Sequence, residues 1–335
     1  MRSDEYLLLM NQCGSMPGNP MPLTVSERIR LREAGIQTAI EYSEWGKTEP
    51  AQGVYDFSLI ESILSMNREA EMKTIFAAPM EFVPYWLPDE WKFKYQDGRY
   101  NSSISLWNKE ATQYKNEYIS MLIDMYHASD VMFIYAENDT GESTMLSYAW
   151  YDDYAVENFR SIYGCDIPID FNNEQTKEWL TNSGLAHILE TQKLFYPQFK
   201  ELWNANQWLI GKINPASMNA LIPEVMQSFR DTFDPLSLVF LQYTYFDAAH
   251  PPENVIYVDM IKEKFNCDVI VEALFCKGLP TTAPKAIAKG FRGQIICPIH
   301  NATGEKTVQD WMVEAISNAH KLWENNENNS NVQVA

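Results

Sequence analysis

Carboxylates end the most apolar stretches of this chain, and paired carboxylates are the groups best suited here to do chemistry. Glu272 is the clearest. In CDVIVEALFC (267–276) it follows the β-branched run Val269, Ile270 and Val271 with no polar lead-in, and Ala273, Leu274 and Phe275 continue the apolar character. Burying a charge there is costly unless it is paired or used. A second acidic group lies in YAENDTGES (135–143), which holds Glu137, Asp139 and Glu142 beside Asn138. Two carboxyl groups facing one another across a sugar can divide the hydrolysis of its glycosidic bond. One protonates the leaving oxygen, while the other attacks the anomeric carbon or activates water.

Such a pair needs a frame that brings distant stretches to one mouth. Eight short apolar runs read as strands, over 5–12, 36–42, 72–78, 130–136, 207–213, 236–246, 267–276 and 294–299. Helical spacing separates them, over 24–34, 58–71, 110–128, 150–163, 174–204, 221–233, 253–265, 280–291 and 308–323. Thr24 and Ser26 are suited to cap the first helix and Gly35 to end it. Eight strand–helix units predict an α/β chain with a (β/α)8 TIM barrel over residues 1–325, a single domain with long βα loops and a helical insertion after strand 4. An open doubly wound sheet is the rival, but no Gly-rich phosphate turn follows the first strand. Residues 326–335 are Asn-rich at their start and are expected to form a disordered tail.

In a barrel, function gathers where strands end. The ends carry Glu41, Glu44 and Trp45 after the second strand, and Glu81 and Trp86 after the third. Glu137, Asn138, Asp139 and Glu142 follow the fourth, Lys212 and Asn214 the fifth, and Tyr243, Tyr245 and Asp247 the sixth. Glu272 is on the seventh, and His300 and Asn301 follow the eighth. Any one of these acids is an ordinary surface or hydrogen-bonding residue by default. Their concentration at one mouth is what points to a site, because a ring of acids needs protons or cations to be tolerated. Glu272 and an acid after the fourth strand would stand on opposite sides of that mouth. Trp45, Trp86 and Trp107 are candidate walls for stacking on a sugar, or else core. Glu81 and His300 are candidate partners for its hydroxyls, although a histidine there could simply terminate the eighth strand.

Three segments carry a resemblance. EYSEWGKTEPAQGVYDFSLIESIL (41–64) is similar to the W-x-x-x-E-P-x-x-G-x-Y-D-F segment after the second strand of clan-A glycoside hydrolases. FVPYWLPDEW (82–91) resembles their P-x-W-L loop, and NFRSIYG (158–164) resembles the F-R-x-W-L-x-x-Y-G helix of family-42 β-galactosidases. The likeness implies a retaining hydrolase with its acid/base after the fourth strand and its nucleophile after the seventh, the address of Glu272. It also implies that Tyr243 or Tyr245 on the sixth strand hydrogen-bonds that carboxylate. The usual Asn-Glu of the acid/base is replaced by Asn138-Asp139, which leaves Glu142, Glu137 and Asp139 in competition. Gly141-Glu142 with Ser147-Tyr148 looks like the G-E-x-x-x-x-S-Y segment of β-amylases, and that favours Glu142. With β-amylase as the guide, inversion replaces retention.

Composition narrows the alternatives. A net charge of −19 argues against a nucleic-acid partner and suits a neutral oligo- or polysaccharide substrate. Ten Trp and eighteen Tyr exceed what a core needs. The five cysteines form no CxxC and read as buried thiols rather than disulfides, and five dispersed histidines without an H-x-H speak against a metal centre. No cofactor or metal is implied. No run approaches the ~20 apolar residues of a membrane span. MRSDEYLLLMNQ has the wrong shape for a signal peptide, so a cytoplasmic protein is expected, with a secreted mature form as the alternative. Two rival functions remain: a Schiff-base aldolase or lyase using Lys212 as its amine, and a barrel that binds or processes glycans during polysaccharide assembly.

Overall fold

The structure, a computed structural model, describes residues 7–12, 22–42, 45–77, 83–126, 131–135, 150–168, 173–176, 178–180, 182–183, 209–212, 240–243, 269–299 and 306–333. Its strands are β1 (Leu7–Gln12), β2 (Thr38–Tyr42), β3 (Lys73–Ala77), β4 (Lys92–Lys94), β5 (Tyr100–Ile104), β6 (Val131–Tyr135), β7 (Leu209–Lys212), β8 (Phe240–Tyr243), β9 (Val269–Phe275) and β10 (Gly293–Cys297). All but β4 and β5 form one closed parallel ring in the order β1-β10-β9-β8-β7-β6-β3-β2. Each of the eight runs expected to be a strand supplies one stave, so the (β/α)8 barrel holds. The two remaining strands pair antiparallel as a hairpin in the connection from β3 to β6, where the sequence reading had only a long loop.

The helices are α1 (Val25–Glu33), α2 (Trp45–Thr48), α3 (Ser58–Glu69), α4 (Lys109–Tyr126), α5 (Asp153–Tyr163), α6 (Leu279–Ala288) and α7 (Asp310–Gln333). Local chemistry starts α1. Thr24 accepts the Glu27 N–H and Glu27 accepts the Thr24 N–H, which is a complete capping box. Gly35 follows with φ +116°, and a Cβ there would lie 2.4 Å from His320 of α7. Only glycine permits both that dihedral and that approach. Leu31, Ile60, Leu64, Met312, Ile316 and Trp323 belong to one buried cluster that seats the helices against the ring. Each such side chain contributes roughly 1.5–3 kcal/mol.

Three expectations change here. The last helix continues to Gln333, so 326–333 are helical rather than a disordered tail. No Gly or Pro interrupts it, and extending a packed helix needs no new nucleation. Cys276 and Cys297 are buried free thiols as expected, but Cys165 is an exposed one. In the ring, β9 and β6 are three strands apart by way of β8 and β7, which puts their ends across the mouth but off its diameter. Among the described residues, no helix is long and apolar enough to cross a membrane.

Glu41 lies on stave β2 with its side chain turned out to the helices, and its surroundings make it a structural acid. It is buried with Arg28 of α1, whose Nη1 donates to its Oε1 at 2.5 Å. Asn67 of α3 donates to the same oxygen at 3.1 Å and to Thr74 of β3 at 2.9 Å. Arg28 also donates to Asn67 and to the Leu23 carbonyl. Burial pushes the Glu41 carboxyl above its usual range, while Arg28 and Asn67 pull it back. Such a network fixes α1 and α3 on β2 and β3, and removing one charge would leave the other buried and unpaired. Glu41→Leu is expected to cost about 3–5 kcal/mol in urea unfolding, and Arg28→Met in the same chain to restore most of it.

Candidate active site at the carboxyl ends of the strands

The ring orders the strand ends that the sequence reading selected. Glu272 is the fourth residue of β9 and stands in register with Ile295 of β10. Tyr243 ends β8 in register with Val271, one residue before Glu272, so the sixth-strand tyrosine and the seventh-strand acid share neighbouring staves. Lys212 ends β7 in register with Gln242. Strand β6 ends at Tyr135, two residues before Glu137. Glu137, Asn138, Asp139 and Glu142 lie outside the described residues, as do Glu44, Glu81, Asn214, Tyr245, Asp247, His300 and Asn301.

Trp45 is corrected. It is 1% exposed and its ring stacks on Tyr118 at 5.3 Å and on Tyr114 at 6.0 Å. A ring so enclosed is core, and it offers no wall to a sugar. Its N–H donates to Glu49 at 2.7 Å, and Glu49 is the residue the sequence reading passed over. That buried carboxylate also accepts the Gly53 N–H at 2.8 Å and the Tyr114 hydroxyl at 2.7 Å. Burial, and then the bond to Glu49, push the Tyr114 phenol well above its ordinary range. The backbone carbonyl of Glu49 accepts the indole N–H of Trp86 at 2.8 Å. Glu49 therefore ties the loop after β2 to the loop after β3, buried and engaged by three donors. The signal for it was present: Trp45 and Glu49 are four apart, and the Glu-Pro turn with Gly53 completes the motif. Trp86 stays half-buried, with Tyr114 packed edge-on at 5.6 Å.

Residues 23–127 match the family model of glycoside hydrolase family 42, β-galactosidase. That stretch holds both the Trp45–Phe57 motif and the Pro84–Leu87 loop, so the resemblance read from the sequence is borne out over it. No curated protein matches the sequence significantly. Among solved structures, the catalytic domain of β-amylase from Paenibacillus polymyxa superposes with a TM-score of 0.70 at 14% identity, covering 94% of this chain and 98% of that one. The β-galactosidase of the psychrophilic Marinomonas ef1 gives 0.62 at 11% identity, with 94% of this chain and 59% of that one. The β-galactosidase of Bacillus circulans sp. alkalophilus gives 0.61 at 12% identity, with 95% and 56%. The chain thus spans a little over half the length of those β-galactosidases and nearly all of the β-amylase domain. The proteins it is similar to are glycosidases. At these identities the structural likeness establishes the barrel fold.

A second tie crosses from the hairpin to the connection between β6 and β7. The Tyr151 N–H donates to the Lys94 carbonyl at 2.8 Å, and Ser105 donates to Asp152 at 2.8 Å. Asp152 also caps α5 by accepting the Ala155 N–H at 3.0 Å. Trp107 stacks on Trp179 at 4.5 Å and donates to Ser183 at 3.1 Å, so it too joins these two connections. Asp152 is 2% exposed, and its second oxygen has no partner. Burial raises its carboxyl from the ordinary 3.8 to about 6, against the lowering pull of Ala155 and Ser105. The sign follows from linkage. The folded chain holds this proton more tightly than the unfolded one, so the stabilisation is full below pH 4 and is lost as pH rises through 6. An Asn keeps the cap and carries no charge. Asp152→Asn is expected to match the parent at pH 4 and to gain roughly 2–3 kcal/mol on it by pH 7, read from urea midpoints.

Proposed function

We propose that this chain is a glycoside hydrolase that cleaves O-glycosidic bonds with a pair of carboxylates. Glu272 is the nucleophile of a retaining reaction. The observation that carries this reading is its place on the seventh stave, in register with Ile295, in a chain whose residues 23–127 match a glycosidase family. Its register partner Ile295 alternates with Gln294, whose side chain is turned outward to Trp323 of α7 and Thr282 of α6. Glu142 is the acid/base, with Glu137 next and Asp139 after it.

The reaction runs in two displacements. The Glu272 carboxylate attacks the anomeric carbon while Glu142 gives its proton to the departing glycosidic oxygen, leaving a glycosyl ester on Glu272. Glu142, now a carboxylate, takes a proton from water, and the water oxygen displaces Glu272 from the sugar. Tyr243 or Tyr245 hydrogen-bonds the nucleophile, and Glu81, Asn138 and His300 bind hydroxyls. Trp86 walls the cleft, and the helical insertion that includes α5 shapes its far side. A neutral oligo- or polysaccharide suits a chain of net charge −19, and no cofactor is required. The barrel over 1–325 acts as one catalytic domain, in the cytoplasm, where it trims or remodels glycan.

The near-complete span of the β-amylase domain supports a second reading, in which the same two acids invert the anomeric centre. The carboxyl separation distinguishes them, about 5–5.5 Å for retention and about 6.5–9.5 Å for inversion. On a panel of aryl glycosides, Glu272→Gln is expected to lower kcat/KM on the order of 10³-fold or more on every active substrate. Glu142→Gln is expected to lose about 10²–10⁴-fold on poor leaving groups and far less on activated ones. Unchanged turnover by Glu272→Gln would remove the mechanism. Borohydride trapping of Lys212 with a carbonyl substrate would replace it with an aldolase.

A further inference from the structure

The outer face of α4 carries a cleft. The face of α4 that holds Ala111, Tyr118, Ile119 and Leu122 packs into the core. Its other face, with Thr112, Asn116, Glu117 and Asp124, lines a cleft of about 910 Å³ that is closed on the far side by Trp107, Asn158 and Ser183. That volume lies within the range of clefts that hold small ligands, about 300–1,000 Å³.

Its chemistry is unusual for a surface groove. Asn116 is 9% exposed, and its amide oxygen has no partner, nor does the buried hydroxyl of Thr112. Buried polar atoms are normally satisfied, so two without partners beneath the cleft surface mark this wall as one that lacks a partner. Across the cleft, the amide oxygen of Asn158 is taken by the indole N–H of Trp179 at 2.8 Å, which leaves its amide nitrogen as the donor. Trp107, stacked on Trp179 and half-exposed, supplies a flat apolar edge. Gln113 donates to Glu117 at 2.9 Å and holds that carboxylate as an acceptor. The charges lining the cleft are Lys109 against Glu117 and Asp124, which disfavours an anion.

An indole beside unpaired amide and hydroxyl groups and an exposed carboxylate matches a neutral ligand with an apolar face and a rim of hydroxyls. We infer that this cleft is a second glycan-binding site, separate from the catalytic mouth, which holds a distal part of an oligosaccharide chain. The choice of glycan rests on the glycosidase reading; the cleft and its unpaired polar atoms do not.

The test uses the full chain carrying 5-fluorotryptophan and Glu272→Gln, which keeps the probes intact. The ¹⁹F resonance of Trp107, assigned with Trp107→Phe, is followed while maltohexaose, β-1,4-galactotetraose or inorganic phosphate is added. One of the two glycans is expected to shift it saturably, and phosphate not to. Asn116→Leu, near-isosteric, and Ser120→Phe, which fills the cleft from a half-buried position, are expected to weaken that binding about tenfold or more. With Glu272 restored, both variants should keep aryl-glycoside turnover unchanged. A Trp107 resonance that neither glycan moves, that phosphate moves equally, or that moves alike in both variants would overturn the site. A shift that the variants abolish, in a chain that turns over no glycoside, would uphold the cleft and remove the hydrolase reading instead.

Discussion

Hydrogen bonding between β1 and β10 joins the first strand of the chain to the last, and that pairing closes the ring. Four consecutive residues of β1 are in register with β10, and four with β2 on its other side. A parallel sheet left open there would present unpaired backbone on two edges. Closed, it fixes which strand ends share one mouth. Residues as distant in sequence as Lys212, Tyr243 and Glu272 thereby become neighbours on successive staves. The arrangement of the mouth depends on that closure.

Around this frame, carboxylates play three different physical parts. Glu41 is neutralised by a guanidinium and an amide, and it fastens helices to strands. Glu49 is filled by an indole, a backbone amide and a phenol, and it fastens one mouth loop to the next. Asp152 is only half satisfied, so its charge costs stability at neutral pH. Occupancy of lone pairs, rather than position at a strand end, separates structural acids from reactive ones. Three donors fill most of the roughly four lone-pair sites of the Glu49 carboxylate and hold it in one orientation inside the core.

Much of the frame was legible because its staves are short apolar runs and its helices carry a single apolar face. The capping box at Thr24–Glu27 was readable from residue types alone. The hairpin was not called, although its signal was there: Asp97-Gly98 is a turn pair, and Gly98 adopts φ +87°. Tyr95 and Arg99 close that turn at 2.7 Å. The burial of Trp45 was illegible because an indole in an aromatic-rich loop reads alike as wall or core. Its hydrogen bond to Glu49, four residues on, decides the matter only once the short helix α2 is seen. Asp152 resembles any acid before a helix until its free oxygen is found buried. The acid after the fourth strand is the half of the pair for which the chain departs from the pattern it resembles, and sequence alone left it open.

The most direct test of the account is covalent. The 2-deoxy-2-fluoroglycosyl fluoride of whichever sugar the enzyme turns over as an aryl glycoside should inactivate the chain stoichiometrically. Peptide mapping should then find the glycosyl ester on Glu272, in the peptide that contains VIVEALF. A label on any other carboxylate, or steady turnover without inactivation and with inversion of the anomeric centre, would contradict it.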